Sequence, residues 1–383
     1  MFRVSGVAAL IVLPLLLAEP AQGQPTFNDV VIGNVPLDAG GTYTLHIDIA
    51  AATAGSGPRP IVLWIHGGGW SSGSYNAIFA GALLLRSRGI HVAGIDYRLS
   101  GQAIFPAQIE DVKGAVRFLR ANAAAFNVDP DRIGAWGSSA GGHLTALLAT
   151  SGDVAALEGT SGGNMAHSSR IQAAVDYFGP TDILQMNLDV TTPPGSTIDH
   201  DAAGSPESRL IGFSGPGEGI GVLRANLGNP TPPFPEKALL AFMVNPITHL
   251  TSDDPPMLIE HGTNDTSVPI GQSERLFAAA VGQGLDVSFR PVPGAGHGSL
   301  GLDADREARE FLVSRLLPIH PGDTNCDDAV DDLDIPAFVQ SLLNPAAYAV
   351  TFPVCNPRNS DLNEDGILNA ADISDFVNLL VAD

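Results

Sequence analysis

A serine hydroxyl is a poor nucleophile at neutral pH and becomes a good one when a base lies within reach and a carboxylate orients that base. The chain holds residues of all three types in a suggestive order. Gly137-Ser138-Ser139-Ala140-Gly141 sets a serine between glycines, His66-Gly67-Gly68-Gly69 lies upstream, and Asp265 and His297 follow. The pentapeptide says little by itself, because a chain with 43 glycines in 383 residues produces such matches by chance. Its flanks say more. Residues 132–136 read as a buried strand and 142–148 as a helix, so Ser139 falls on a sharp strand-to-helix turn. Ser138 occupies the variable position of the motif and is the lesser candidate.

The base is assigned to His297, in the glycine-flanked loop Gly294-Ala295-Gly296-His297-Gly298 after the last predicted strand. His143 on the following helix, and His167, His200, His249 and His261, lack a comparable setting. The acid is assigned to Asp265, which follows a buried strand and precedes the histidine in chain order. Asp182, like Asp176, comes earlier than the usual place of the acid and stands second. The amides of Gly67, Gly68 and Ala140 are the expected oxyanion donors, each worth about 3 kcal/mol when aimed at developing charge. His66 is expected to brace its loop.

These residues need a scaffold that brings strand ends together. Residues 26–48 alternate apolar and polar side chains, as in an antiparallel hairpin. After them, apolar strands (59–65, 91–95, 171–178, 256–260, 287–290) alternate with helical spacings (78–88, 106–122, 272–282, 305–316). In 106–122, Ile109, Val112, Val116 and Leu119 recur at intervals of three and four. The expectation is an α/β fold, a mostly parallel sheet with helices on both faces. Between 189 and 235 the alternation stops, and Gly, Pro and Ser dominate. This stretch reads as an insertion that either forms a partial cap over the site or runs as a surface loop.

Composition bounds the rest. With 44% hydrophobic and 16% charged residues, the chain supports one large core and a smaller domain. Residues 1–23 combine Arg3, an apolar run broken by Pro14, and Ala21-Gln22-Gly23, which reads as a secretory signal peptide and places the protein outside the cell or on its surface. A membrane anchor is the alternative. The net charge of −22 is uneven: after residue 320, twelve acids face Arg358 alone, a net of −11. Such a surface does not suit nucleic acid, whereas clustered carboxylates suit a hard cation or a solubilising tail. Cys326 and Cys355, the two cysteines, both lie in this tail, and export permits a disulfide between them.

The stretches 66–70, 96–99, 105–111, 129–133, 136–144, 177–182 and 261–269 together resemble the alpha/beta-hydrolase fold, a doubly wound, mostly parallel sheet. Within it they most resemble the bacterial feruloyl-esterase-like (BD-FAE) branch, near the hormone-sensitive-lipase-type esterases. Gly-Ser-Ser stands at the elbow where the lipase-like branch has Gly-Asp-Ser, which favours the former. The resemblance covers roughly residues 28–317. It implies hydrolysis of carboxylic esters with no catalytic metal, acetylated or feruloylated polysaccharide being one substrate class. A serine peptidase or arylformamidase on the same fold is the second enzymatic reading, and an inert docking scaffold the non-enzymatic one.

In the tail, residues 323–334 and 361–372 each carry acids or amides at positions 1, 3, 5, 9 and 12, followed by an apolar helical run. Oxygen ligands at this spacing suit a calcium loop of EF-hand type. The pair resembles a dockerin type I module, a small helical EF-hand-like domain. That resemblance implies calcium at Asp323, Asn325, Asp327, Asp331 and Asp334, and at Asp361, Asn363, Asp365, Asn369 and Asp372. The carbonyls of Ala329 and Ile367 would join them, with a cohesin-like protein as partner. Asp328 replaces the usual turn glycine of the first loop, which makes the second the safer site. The organisation expected is therefore a signal peptide (1–23), a hydrolase domain (24–317), a linker (318–322) and a calcium-binding domain (323–383).

Overall fold

The computed structural model describes residues 27–381, so the segment 1–23 lies outside it. Eight strands form one sheet: β1 (Phe27–Pro36), β2 (Thr42–Ala50), β3 (Arg59–Ile65), β4 (His91–Ile95), β5 (Val128–Ser138), β6 (Ala173–Tyr177), β7 (Met257–Gly262) and β8 (Val287–Val292). Their order is β1-β2-β4-β3-β5-β6-β7-β8. The β1–β2 hairpin is antiparallel and meets β4 antiparallel; every later pairing is parallel. β4, β6 and β7 are buried along their whole length, which is why they read as continuous apolar runs.

Alternation along β3 divides the interior. Ile61, Leu63 and Ile65 join the core that holds the helices Ala107–Ala121, Ala140–Thr150 and Gly271–Gly282, while Val62 and Trp64 face the helix Leu302–Leu316. Arg98 fixes one helix to the sheet: its Nε and one terminal nitrogen each donate to Asp111 at 2.8 Å, in the buried fork geometry that arginine favours.

The 189–235 stretch contains the short helices Pro206–Leu210 and Ile220–Ala225 and leads into Phe234–Met243. Leu210, Ile211, Phe213, Ile220 and Leu223 are buried in the first core. Of the two expectations, the ordered cap is the one observed; its turns are too short to leave a periodic signature.

The helix Leu302–Leu316 runs from beside a cavity at Ser139, where Leu300 and Asp305 form part of the wall, towards the tail. At its far end Asn356 Nδ2 donates to the Leu317 carbonyl at 2.8 Å. Arg88 ties the tail down further, donating to the Pro353 carbonyl at 2.9 Å and pairing with Glu310. The tail has the helices Asp334–Leu343, Pro345–Thr351 and Ile373–Leu380; Phe338 and Phe376 stack with centroids 4.0 Å apart, and Cys326 is bonded to Cys355. The helix Pro345–Thr351 falls in the spacer between the two loops 323–334 and 361–372, where no helix is expected from the sequence.

Candidate active site

β5 ends at Ser138 and a helix begins at Ala140, leaving Ser139 on the turn between them with φ +55° and ψ −122°. A non-glycine residue there is strained, and the surroundings hold it. Ser139 N donates to the Tyr177 carbonyl at 2.8 Å, and His143 N donates to the Ser139 carbonyl at 2.9 Å. The turn can be this tight only because of its glycines: a Cβ at Gly141 would lie 2.0 Å from the Ile65 carbonyl oxygen, and one at Gly137 2.2 Å from that of Gly141.

Ser139 Oγ lies 3.0 Å from His297 Nε2, and His297 Nδ1 lies 2.8 Å from Asp265 Oδ2. The remaining Asp265 oxygen accepts the Ser267 and Val268 amides at 2.7 and 2.9 Å. Burial pushes this carboxyl up, but hydrogen bonds from His261, His297 and the backbone outweigh it and hold Asp265 well below the usual carboxylate range. An ionised carboxylate orients Nδ1–H towards itself and leaves Nε2 free to accept from the serine. Phe178 meets the His297 ring edge-on, with centroids 4.8 Å apart.

The alternative residues lie elsewhere. Trp70 Nε1 donates to His143 Nδ1 at 3.1 Å, and His143 Nε2 contacts the Val244 carbonyl at 2.7 Å; burial lowers this imidazole to about 4, making it a neutral brace. His249 contacts the Met243 carbonyl. Asp176 is fully enclosed in β6, where burial raises it to about 7, and Asp182 accepts from Leu184 N and Asn245. His261, weighed in the sequence only as a base, stands 3.3 Å from Asp265 Oδ2 as a second neighbour of the acid. Its position four residues before Asp265 is the signal that points to it.

The glycine loop after β3 packs against the elbow. A Cβ at Gly67 would lie 2.8 Å from the Ser138 carbonyl, and Gly68 adopts φ +110°. Among the described residues, none of the Gly67, Gly68 and Ala140 amides donates to a loop or side-chain acceptor. His66 Nδ1 lies 2.9 Å from the Gly67 carbonyl and its ring stacks on Tyr97, as expected of a brace. These groups open on a cavity of about 590 Å³. Trp64, Phe79 and Phe178 form an aromatic wall, and Ile198, His200, Pro206 and Glu207 form a wall contributed by the cap.

The two tail loops share one framework of hydrogen bonds. The carboxylates of Asp334 and Asp372 each accept the amides of loop positions 2, 3 and 9, and the position-6 amides of Asp328 and Gly366 donate to Asp323 and Asp361. Position 6 is left-handed in both, φ +69° at Asp328 and +80° at Gly366, so Asp328 adopts the conformation of the glycine it replaces. The donor sets are hard oxygens, and Asp361 Oδ1 is buried without a partner. Among the described residues, no three His, Cys, Asp or Glu side chains converge as a metal cluster. The donors of the second loop are a mixed set of carboxylate, side-chain amide and carbonyl oxygens, the ligand types that calcium takes.

A model of the BD-FAE family matches residues 47–279. Esterase LipC of Mycobacterium tuberculosis is 31% identical over 256 residues, 65% of this chain and 55% of that protein. Esterase LipQ of the same organism is 30% identical, over 62% of this chain and 50% of its own length. The chain thus spans about half the length of these relatives. A truncated carbohydrate esterase from gut microbiota superposes with a TM-score of 0.64 at 28% identity, covering 78% of this chain and 98% of that one. The bifunctional GH43-CE protein of Bacteroides eggerthii gives 0.62 at 32% identity, over 76% of this chain and 35% of its own. The esterase Est2 of Thermogutta terrifontis gives 0.54 at 26%, covering 77% and 92%. The sheet, the elbow and these likenesses agree: the chain belongs to the BD-FAE family of alpha/beta-hydrolases.

Proposed function

We propose that this protein is a secreted or cell-surface carboxylic ester hydrolase that works through an acyl-enzyme on Ser139. The observation that carries the reading is the unbroken relay from Ser139 Oγ through His297 to Asp265. Ser139 attacks the ester carbonyl while His297 Nε2 takes its proton; the oxyanion forms against the Gly67, Gly68 and Ala140 amides; the alcohol leaves with the proton. Water, activated by the same imidazole, then releases the acid. Likeness to carbohydrate esterases supports acetylated or feruloylated polysaccharide as the substrate class. Ser139→Ala is expected to abolish turnover of 4-nitrophenyl acetate, and turnover retained by a folded variant sinks the assignment.

The tail is assigned a docking role that depends on calcium. Calcium, once bound, supplies charge neutralisation and cross-linking within a loop. Asp361, Asn363, Asp365, Asn369, Asp372 and the Ile367 carbonyl would hold it in the second loop, and Asp323, Asn325, Asp327, Asp331, Asp334 and the Ala329 carbonyl in the first. Calorimetric titration of the full chain is expected to show calcium binding that Asp361→Ala weakens; no heat with either protein refutes the sites. Binding of calcium without affinity for any cohesin-like domain refutes the partner alone. Protein recovered from culture medium is expected to begin at Gln24.

A further inference from the structure

The cap wall of the cavity contains a buried histidine–glutamate pair that the relay does not use. His200 and Glu207, 1% and 2% exposed at their side chains, meet through Nδ1 and Oε1 at 2.9 Å. Both line the cavity. The second polar atom of each, His200 Nε2 and Glu207 Oε2, is buried without any partner. A carboxylate only accepts, so against Glu207 Oε1 it is Nδ1 that carries the proton, and in the neutral ring Nε2 is the acceptor nitrogen. The pair thus holds two unused acceptors.

A merely structural pair is a poor explanation. Burying two ionisable groups with half of their hydrogen-bonding capacity unmet is less favourable than filling the same space with apolar side chains. The position points to substrate as well. Thr197 N donates to the Thr266 carbonyl at 2.7 Å, next to the acid Asp265. At the other end of the segment, a Cβ on Gly69 would sit 3.4 Å from Pro206 Cβ, against the oxyanion loop. Residues 197–207 therefore bridge the acid loop and the oxyanion loop, and the pair lies on the bridge. The lining of the same cavity also includes the aromatic side chains of Trp64, Phe79 and Phe178.

We infer that Glu207 and His200 are specificity-determining residues that accept hydrogen bonds from two neighbouring hydroxyls on the alcohol part of the ester, as in a sugar bearing a vicinal diol. The inference rests on the ester-hydrolase reading and deepens it. A substrate with both hydroxyls satisfies both acceptors, whereas one whose hydroxyls are blocked leaves them unpaired in a closed wall, and sites built in this way discriminate strongly.

The test compares a monoacetylated methyl xyloside that keeps its free vicinal hydroxyls with the same ester O-methylated at those positions, alongside 4-nitrophenyl acetate. The full-length protein is expected to favour the free xyloside by at least about tenfold in kcat/KM. Glu207→Gln keeps an acceptor for His200 but turns the second acceptor into a donor, and it is expected to bring that ratio close to one. His200→Gln provides the second variant, should the first fail to fold. A wild-type ratio near one, or variants that lower both xylosides equally and keep the ratio, overturns the inference. A wild-type protein inert towards all three esters overturns the hydrolase reading itself.

Discussion

Replacing Asp265 with Asn probes the relay at the point where the structure makes the sharpest demand. The Asp265 oxygen that faces the backbone accepts two amides, from Ser267 and Val268, at 2.7 and 2.9 Å. An asparagine must keep its carbonyl oxygen there, since its amide nitrogen would otherwise face two donors. That nitrogen is then aimed at His297 Nδ1, 2.8 Å away in the wild type, and donates to it. The ring proton is displaced to Nε2, which points at Ser139 Oγ from 3.0 Å and can no longer accept from it. Loss of the correct tautomer with the geometry intact lowers kcat by about 10⁴, equivalent to about 5.4 kcal/mol of barrier. Because the oxyanion loop and cavity walls are untouched, KM for 4-nitrophenyl acetate is expected to change little. Asp265→Ala imposes no tautomer and is expected to retain more turnover than Asp265→Asn. Steady-state kinetics on both variants, with circular dichroism to establish folding, decide the matter. An Asn variant within about tenfold of wild type, or one clearly better than Ala, refutes the tautomer argument.

Gly141→Ala would place a methyl group 2.0 Å from the Ile65 carbonyl oxygen and 2.6 Å from that of His66, both rigid backbone, so it is expected to yield little folded protein, read as soluble yield and melting temperature. Asp176, raised by burial to about 7, holds a proton in the folded chain that the unfolded chain has lost above its ordinary value near 4. Its contribution to stability therefore falls as pH rises from about 4 to 7, by up to ~1.4 kcal/mol per unit, and levels off above. Asp176→Asn is expected to flatten that decline in urea titrations at pH 5 and pH 8, and an unchanged slope would count against the buried proton. Replacing both Cys326 and Cys355 with Ser opens a bridge spanning 29 residues and is expected to lower tail stability by about 3 to 4 kcal/mol while leaving ester turnover intact; chemical denaturation followed by hydrogen exchange in the tail measures it.

The residues that meet at Ser139 were readable because each sits in a local pattern that permits only one placement. A glycine-bracketed serine between an apolar strand and a helix must sit on the turn, and Asp265 and His297 follow predicted strands whose ends meet it. The repeat in the tail was readable for a similar reason: the acids and amides at positions 1, 3, 5, 9 and 12 of each loop bond within their own twelve residues. What escaped depends on distant contacts. Trp70 and His143 are 73 positions apart, and nothing in either neighbourhood announces their hydrogen bond. His200 and Glu207 lie close in sequence, yet in a stretch without periodicity, where only the packed cap decides that they face one another. The spacer helix Pro345–Thr351 escaped because a single short amphipathic turn pattern after a proline resembles a loop.

The helix Leu302–Leu316 begins beside the cavity and ends where Asn356 grips the Leu317 carbonyl. Fifteen residues at 1.5 Å each make a strut of about 22 Å between the site and the acidic tail. Arg88, from a different element, holds the Pro353 carbonyl and pairs with Glu310 on the same helix. The tail is therefore fixed at more than one point, and its bearing as well as its distance from the site is set by rigid contacts rather than averaged by a floppy tether.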